Sequence, residues 1–218
     1  MYVDRIMTRE VVTVTEQAKL ARLSELMQLR KLRHLPVVDD AGRLVGIISH
    51  RDVQRAEPSP ITTLDVGEVN YLLSKVTAGQ IMHRSVVTAR PEMLVEQAGC
   101  LMRDRRVGCL PVVDGDRLVG IITGVDLVDF FLEVTGCQMT DAARIAVHLA
   151  DDPGRLAGLL TAINQAGGKI VTVVSPTHID DSGQRTAIVR FRADDPQAVI
   201  DALRAAAYDL DTVNLPDS

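Results

Sequence analysis

Apolar positions run along the chain in alternating extended and helical rhythms, and the same succession occurs twice before the pattern changes. Residues 11–14 form a short β-rich run, and Thr15 after it is a helix-capping type. Leu20, Leu23 and Met27 then recur at helical spacing within residues 19–32. Residues 35–38 and 44–48 are apolar runs of strand length on either side of Asp39-Asp40-Ala41-Gly42, a hairpin signal. Ser49 opens a short helix over 50–56. The second pass predicts a strand at 86–89 and a helix near 95–105. Strands at 110–113 and 118–122 follow, around the turn Asp114-Gly115-Asp116, and a helix starts at Gly124.

The two passes share their residues as well as their rhythm. HLPVVDDAGRLVGIISHRDV, from His34, returns as CLPVVDGDRLVGIITGVDL, from Cys109, at an offset of 75 residues that becomes 74 after a one-residue shortening of the loop. Upstream, Ile6-Met7-Thr8 pairs with Ile81-Met82-His83, and Val12-Thr13 with Val87-Thr88. One supersecondary unit is used twice, which predicts a pseudo-symmetric pair of faces and of sites. The repeats are placed at residues 1–60 and 77–136. Between them Glu57-Pro58-Ser59-Pro60 breaks the chain, and a crossover helix is expected around 65–74 within a linker at 61–76.

Beyond Thr135-Gly136-Cys137-Gln138 the order changes to strand 144–149, helix 156–166, strands 170–174 and 186–191, helix 196–207 and strand 210–215. Asp151-Asp152-Pro153-Gly154 and Asp180-Asp181-Ser182-Gly183 are the turns, with Asp152 as an N-cap and Gly167-Gly168 ending the first helix. The order βαββαβ is that of a ferredoxin-like domain, at residues 143–215. The expected class is therefore α/β (α+β): two βαββα repeats forming a pseudo-twofold module, then a ferredoxin-like domain.

Composition narrows the function. Of 218 residues, 46% are hydrophobic and 24% charged, which is ordinary for a soluble globular chain. The net charge of −5 comes mostly from residues 139–218, where 7 basic residues face 11 acidic ones. With no basic stripe and 3% aromatics, nucleic acid is not an expected partner. Cys100, Cys109 and Cys137 have no metal-ligand spacing and read as small buried hydrophobes in a reducing compartment. MYVDRIMTRE has charges where a signal peptide needs an apolar run, and no stretch reaches membrane-spanning length, so a cytoplasmic protein is expected. His34, His50, His83, His148 and His178 are scattered without metal-ligand spacing, and His148 reads as a packed strand residue. No phosphate loop or nucleophile elbow occurs, so neither catalysis nor a metal is expected.

The best chemistry lies at the strand-to-helix junctions, Gly46-Ile47-Ile48-Ser49-His50-Arg51-Asp52 and Gly120-Ile121-Ile122-Thr123-Gly124-Val125-Asp126. A hydroxyl and helix N–H groups suit a phosphate, and a carboxylate three residues on suits ribose hydroxyls. Arg51 and His50 add positive charge to the first junction. Gly124-Val125 add none to the second, so unequal sites are expected. The competing reading of Ser/Thr-x-x-Asp is a capping box that only satisfies backbone donors, and spacing alone leaves both open.

The Leu-Pro-Val-Val-Asp strand, the Gly-Ile-Ile-Ser/Thr-x-x-Asp junction and the Ile-Met opening, each present twice, resemble tandem cystathionine-β-synthase (CBS) domains over residues 1–133. The resemblance implies two clefts that take AMP, ADP, ATP or S-adenosylmethionine as a regulatory ligand, in a dimeric assembly. By motif, Ser49 and Thr123 would contact phosphate, and Asp52 and Asp126 ribose. Arg33-His34-Leu35-Pro36 and Cys109-Leu110-Pro111 would line the base. Residues 143–215 resemble an ACT domain through Asp152-Pro153-Gly154-Arg155-Leu156 and Gly167-Gly168-Lys169-Ile170-Val171. That resemblance implies pairing between copies and an amino-acid site near the first loop. The amides of Gly154, Arg155 and Leu156 would face a carboxylate and Asp151 or Asp152 an ammonium, unless the domain is structural. Together these parts resemble the AcuB-like family of CBS–ACT proteins, which implies a non-catalytic regulatory homodimer or tetramer acting on an enzyme of acetoin metabolism. The rival reading is a dimerisation adaptor without ligand.

Overall fold

The computed structural model describes residues 1–57 and 74–216, in two units, Met1–Val128 and Asp129–Ser218. Pro58-Ser59-Pro60 and, apart from Ser74, the crossover helix expected around 65–74 lie outside the described residues.

The first unit opens with a short 3-10 turn at Val3–Arg5. It continues through α1 (Leu20–Leu29), β1 (His34–Val38), β2 (Leu44–Ser49) and α2 (His50–Ala56). The plan returns in α3 (Ala78–Ile81), α4 (Val95–Arg105), β3 (Cys109–Asp114), β4 (Arg117–Thr123) and the start of α5 (Gly124–Thr135), which runs on past Val128 into the second unit. Leu20, Leu23 and Met27 are buried on α1, and Val95, Ala98 and Met102 on α4, both sets at i, i+3, i+7. The first hairpin closes because Asp39 Oδ1 accepts from the N–H groups of Ala41 (3.0 Å) and Arg43 (2.9 Å).

The first strand expected in each repeat shrinks to one parallel bridge, Val14 to Val37 and Ala89 to Val112. Val14 donates to the Pro36 carbonyl and accepts from the Val38 N–H, and Ala89 does the same with Pro111 and Val113. Extending either pairing back along the expected strand by one step would need an N–H from Pro36 or Pro111, and proline has none.

Each repeat's opening is exchanged into the other. Met82 and Ala78 lie in the core of the first repeat with Leu23, Leu35 and Ile48. Val3 and Met7 lie in the core of the second with Met102, Leu110 and Ile122. His83 exchanges backbone hydrogen bonds with Ile47 on β2, as Thr8 does with Ile121 on β4. The hairpin ends meet where Leu44 N–H donates to Asp116 O (3.0 Å) and Leu118 N–H to Gly42 O (3.2 Å), so the twofold-like relation passes between them.

Glycine is needed where the exchanged methionines cross the hairpins. A Cβ on Gly46 would sit 3.0 Å from Met82 Cγ and 3.2 Å from the His83 carbonyl oxygen. On Gly120 it would sit 2.5 Å from Met7 Sδ and 3.1 Å from the Thr8 carbonyl oxygen. Gly46→Ala and Gly120→Ala are each expected to destabilise the first unit by about 1–3 kcal/mol through overpacking. Urea unfolding measures this, and unchanged midpoints would contradict the close approach.

The second unit contains β5 (Ala143–Ala150), α6 (Arg155–Gln165), β6 (Lys169–Val174), β7 (Gln184–Arg192), α7 (Pro196–Ala205) and β8 (Asp209–Asn214). Its antiparallel sheet has the order β6-β7-β5-β8, a ferredoxin-like topology. The core joins Ile145, Val147, Val189 and Phe191 of the sheet to Leu159 and Ile163 of α6 and Val199 and Leu203 of α7. Asp195 caps α7 through the Ala198 N–H (3.0 Å), with Pro196 at its first position. The cap of α6 is Gly154 at φ 86°, not Asp152 as expected. Asp152 instead offers its carbonyl to the Arg155 N–H (3.3 Å), a turn that the left-handed glycine permits.

Candidate functional site

β2 ends at Ser49 and α2 begins at His50, so the backbone turns where the hydroxyl and Asp52 come together. Ser49 Oγ donates to Asp52 Oδ2 at 2.5 Å, and the Ser49 N–H to the same oxygen at 2.8 Å. The Asp52 N–H returns a long bond to Ser49 Oγ, 3.4 Å. Thr123 and Asp126 repeat this geometry at 2.7, 2.6 and 3.4 Å. Both capping boxes are thus formed. Each engages Oδ2 and leaves Oδ1 outside the cap, so a carboxylate that closes its helix end can still face a ligand.

Asp52 Oδ1 meets Nε2 of His83 at 3.1 Å, a contact delivered by the exchanged opening of the second repeat. The Asp52 side chain is 10% exposed. Burial works against its ionisation. Hydrogen bonds from the Ser49 side chain and backbone, and from His83, outweigh that and hold the carboxyl below its ordinary range. Burial, with Arg33 alongside, lowers the pKa of His34 against the pull of Asp52, so this imidazole is neutral at pH 7.

A cleft of about 1080 Å³ opens beside Asp52. Among the expected site residues it brings together Arg33, His34, Ser49, Arg51 and Asp52, with His50 and Cys109. Burial pushes the Cys109 thiol up to about 12, which keeps it protonated and inert. Cys100 and Cys137, expected to be buried, are exposed. Four residues expected around a base are elsewhere: Leu35, Pro36, Leu110 and Pro111 are buried within their strands, and none lines the cleft. Pro36 pairs with Ile47 and Pro111 with Ile121, and Leu110 packs in the second core. Thr123 and Asp126 do not line this cleft and stand at the pseudo-symmetric junction.

The opposite wall was missed from the sequence. It consists of His83, Ser85, Val86 and Val87 before α4, and Arg106, Val107 and Gly108 after it. Their signal was the equivalence of His83 with Thr8, whose meaning depends on the exchange of openings.

The CBS domain family matches residues 3–59 and 78–133, more than half of the chain. This protein belongs to the CBS-domain family. Among solved structures, the chain is similar to one from Vibrio cholerae described as an acetoin utilization protein (AcuB). They are 31% identical with a TM-score of 0.53, over 63% of this chain and 95% of that one. The CBS domain pair of MJ0100, solved with 5′-methylthioadenosine and S-adenosyl-L-methionine, is 28% identical with a TM-score of 0.51, over 64% and 98%. CBSX2 in complex with AMP is 28% identical with a TM-score of 0.51, over 61% and 97%. Among curated proteins, a homoserine O-acetyltransferase of Methanohalobium evestigatum is 28% identical over 127 residues, 58% of this chain. The chain spans 23% of that relative's length.

In the second unit, Asp151 is ion-paired with Arg185 at 2.5 Å, and Asp152 lies 4.0 Å from Arg155 Nε. Gly154, Arg155 and Leu156 open α6 beside them. His148 is half-buried, with Nδ1 3.3 Å from Thr186 Oγ1. Among the described residues, no group of three or more His, Cys, Asp or Glu is placed to hold a metal, and no helix is long and apolar enough to cross a membrane.

Proposed function

We propose that this CBS pair is a non-catalytic regulatory module that senses an adenine nucleotide, AMP, ADP, ATP or S-adenosylmethionine, in the cleft beside Asp52. The observation that carries the reading is Asp52 itself. It is a nearly buried, ionised carboxylate on a cleft wall, with one oxygen in the cap and the other held by an exposed histidine. Ribose hydroxyls would replace His83 at Oδ1, the exchange expected of an acidic residue that grips a sugar. The adenosine compounds bound by MJ0100 and CBSX2 support this choice of ligand.

The cleft joins α2 to the segments before and after α4, so a ligand there would favour one arrangement of the two repeats. It shifts that equilibrium only by its differential affinity for the two states. The likeness to a protein described as acting in acetoin utilization supports a role in acetoin metabolism; a cytoplasmic homodimer acting on an enzyme there completes the proposal. The ferredoxin-like unit, read as an ACT domain, would add an amino-acid input at Asp151, Asp152 and Gly154, coupled reciprocally to the first.

A second reading, a dimerisation adaptor without ligand, draws on α5, where Val125, Val128, Phe131 and Val134 are exposed. Thermal unfolding separates the two. A ligand at a hundred times its Kd adds about 2.7 kcal/mol, a rise of about 5–10 °C at this chain length. A melting point indifferent to millimolar AMP, ADP, ATP and S-adenosylmethionine leaves the adaptor.

A further inference from the structure

We propose that the Asp52 cleft selects adenosine polyphosphates, bound free of magnesium, over AMP and over the sulfonium nucleoside S-adenosylmethionine. The inference rests on the reading of this cleft as an adenosine site and adds the class of ligand.

Charge is the first ground. Lys31, Arg33, Arg51 and Arg106 all line the cleft, and Asp52 is the one acidic residue among its described lining residues. That carboxylate is already engaged by Ser49 and His83. Four permanent cations against one committed anion attract each added phosphate and repel a sulfonium. Magnesium that accompanies a nucleotide is usually held by one or two carboxylates as well as phosphates. Among the described lining residues there is no second acid beside the engaged Asp52, so the guanidinium and ammonium groups would neutralise the chain of phosphates in the metal's place.

Backbone conformation is the second ground. Lys31 and Arg106 are pseudo-symmetric residues just beyond α1 and α4, and both are left-handed, at φ 52° and 54°. Each sits in a helix-ending turn, with Leu32 N–H donating to Met27 O (2.9 Å) and Val107 N–H to Met102 O (3.0 Å). Glycine takes this position without strain, and a long side chain does not. Both repeats nevertheless place a cation there, and both cations reach the same cleft. A strained backbone kept at a cleft wall points to use of its side chain.

The pseudo-symmetric junction supplies the contrast. Thr8, Glu10, Gly124 and Val125 stand where the cleft has His83, Ser85, His50 and Arg51. Anion selectivity is thereby a property of the Asp52 side and not of the repeat as such.

Titration calorimetry on the full chain at fixed ionic strength tests this, with AMP, ADP, ATP and S-adenosylmethionine in EDTA, and with ATP in excess magnesium chloride. ATP is expected to bind at least about tenfold tighter than AMP, the effect of one added charge-assisted hydrogen bond. Magnesium should weaken ATP binding, and S-adenosylmethionine should bind most weakly. Lys31→Gly and Arg106→Gly should each lower ATP affinity by about tenfold while the melting point holds or rises, a pairing that a purely structural role would not produce. Equal affinities for AMP and ATP, tighter binding with magnesium, or glycine variants that bind ATP as the parent does would each overturn the proposal. If AMP and S-adenosylmethionine bind and ATP is not preferred, the adenosine site stands and only the selectivity falls. If no adenosine compound binds, the site reading falls with it.

Discussion

Phe191→Ala is expected to lower the stability of the second unit by about 3–5 kcal/mol. The ring is fully buried on β7, in the core shared with Ile163 of α6 and Leu203 of α7. It also lies where Gly168 must stay small: a Cβ there would come within 3.2 Å of Phe191 Cδ2 and 2.6 Å of Ile163 Cγ2. Truncation removes the transfer energy of the ring and leaves a cavity between sheet and helices, which a close-packed interior refills only in part. Domains are typically stable by about 5–15 kcal/mol, so this one substitution removes a large share. In urea, with a slope of about 1–3 kcal/mol per molar, the transition of this unit should move down by roughly 2 M. The transition of the first unit should stay in place, because Phe191 belongs to neither of its cores. A shift under about 0.5 M would mean that the site collapses around the loss.

Asp52→Ala should abolish the tight phase of nucleotide binding, with a loss of about ten- to hundredfold, the equivalent of a 1.5–3 kcal/mol hydrogen bond to a charged group. Asp126→Ala should leave that phase in place. The two carboxylates make the same cap, so helix closure alone would make the substitutions equivalent. They differ in their settings: His83 and a basic lining stand beside Asp52, whereas the equivalents of His83, His50 and Arg51 in the other repeat are Thr8, Gly124 and Val125. Asp52→Asn separates capping from charge, since an amide oxygen still accepts from Ser49 but no longer carries the negative charge. It should restore stability more than affinity. A loss that follows Asp126 instead would reverse the assignment of the two junctions.

Much of the architecture was legible because its causes are local. The spacing of Leu20, Leu23 and Met27 predicts one buried helix face, and α1 buries those three. Asp39 and Gly42 predict a hairpin, and the aspartate closes it through its own side chain. The ferredoxin-like order of the last third is likewise read from alternation and turns, and the sheet order agrees. Where local reading missed, a non-local competitor decided. The first strand of each repeat has the right residues, but its pairing stops at a proline on the neighbouring strand. Leu110, assigned to a base pocket by motif, is drawn into the second core by its apolar neighbours.

The chain by itself determined the duplication, the helix and hairpin periods, and the Ser49–Asp52 and Thr123–Asp126 pairs, because each is set by residues within a few positions of one another. Tertiary structure alone decided what faces those pairs. Met82 crosses Gly46 and carries His83 to Asp52, and the turn after α4 brings Arg106 to the same cleft. Those neighbours are separated by tens of residues, and their meeting depends on which core the exchanged openings fill. Local periodicity holds no record of that choice, since either core would bury a methionine equally well.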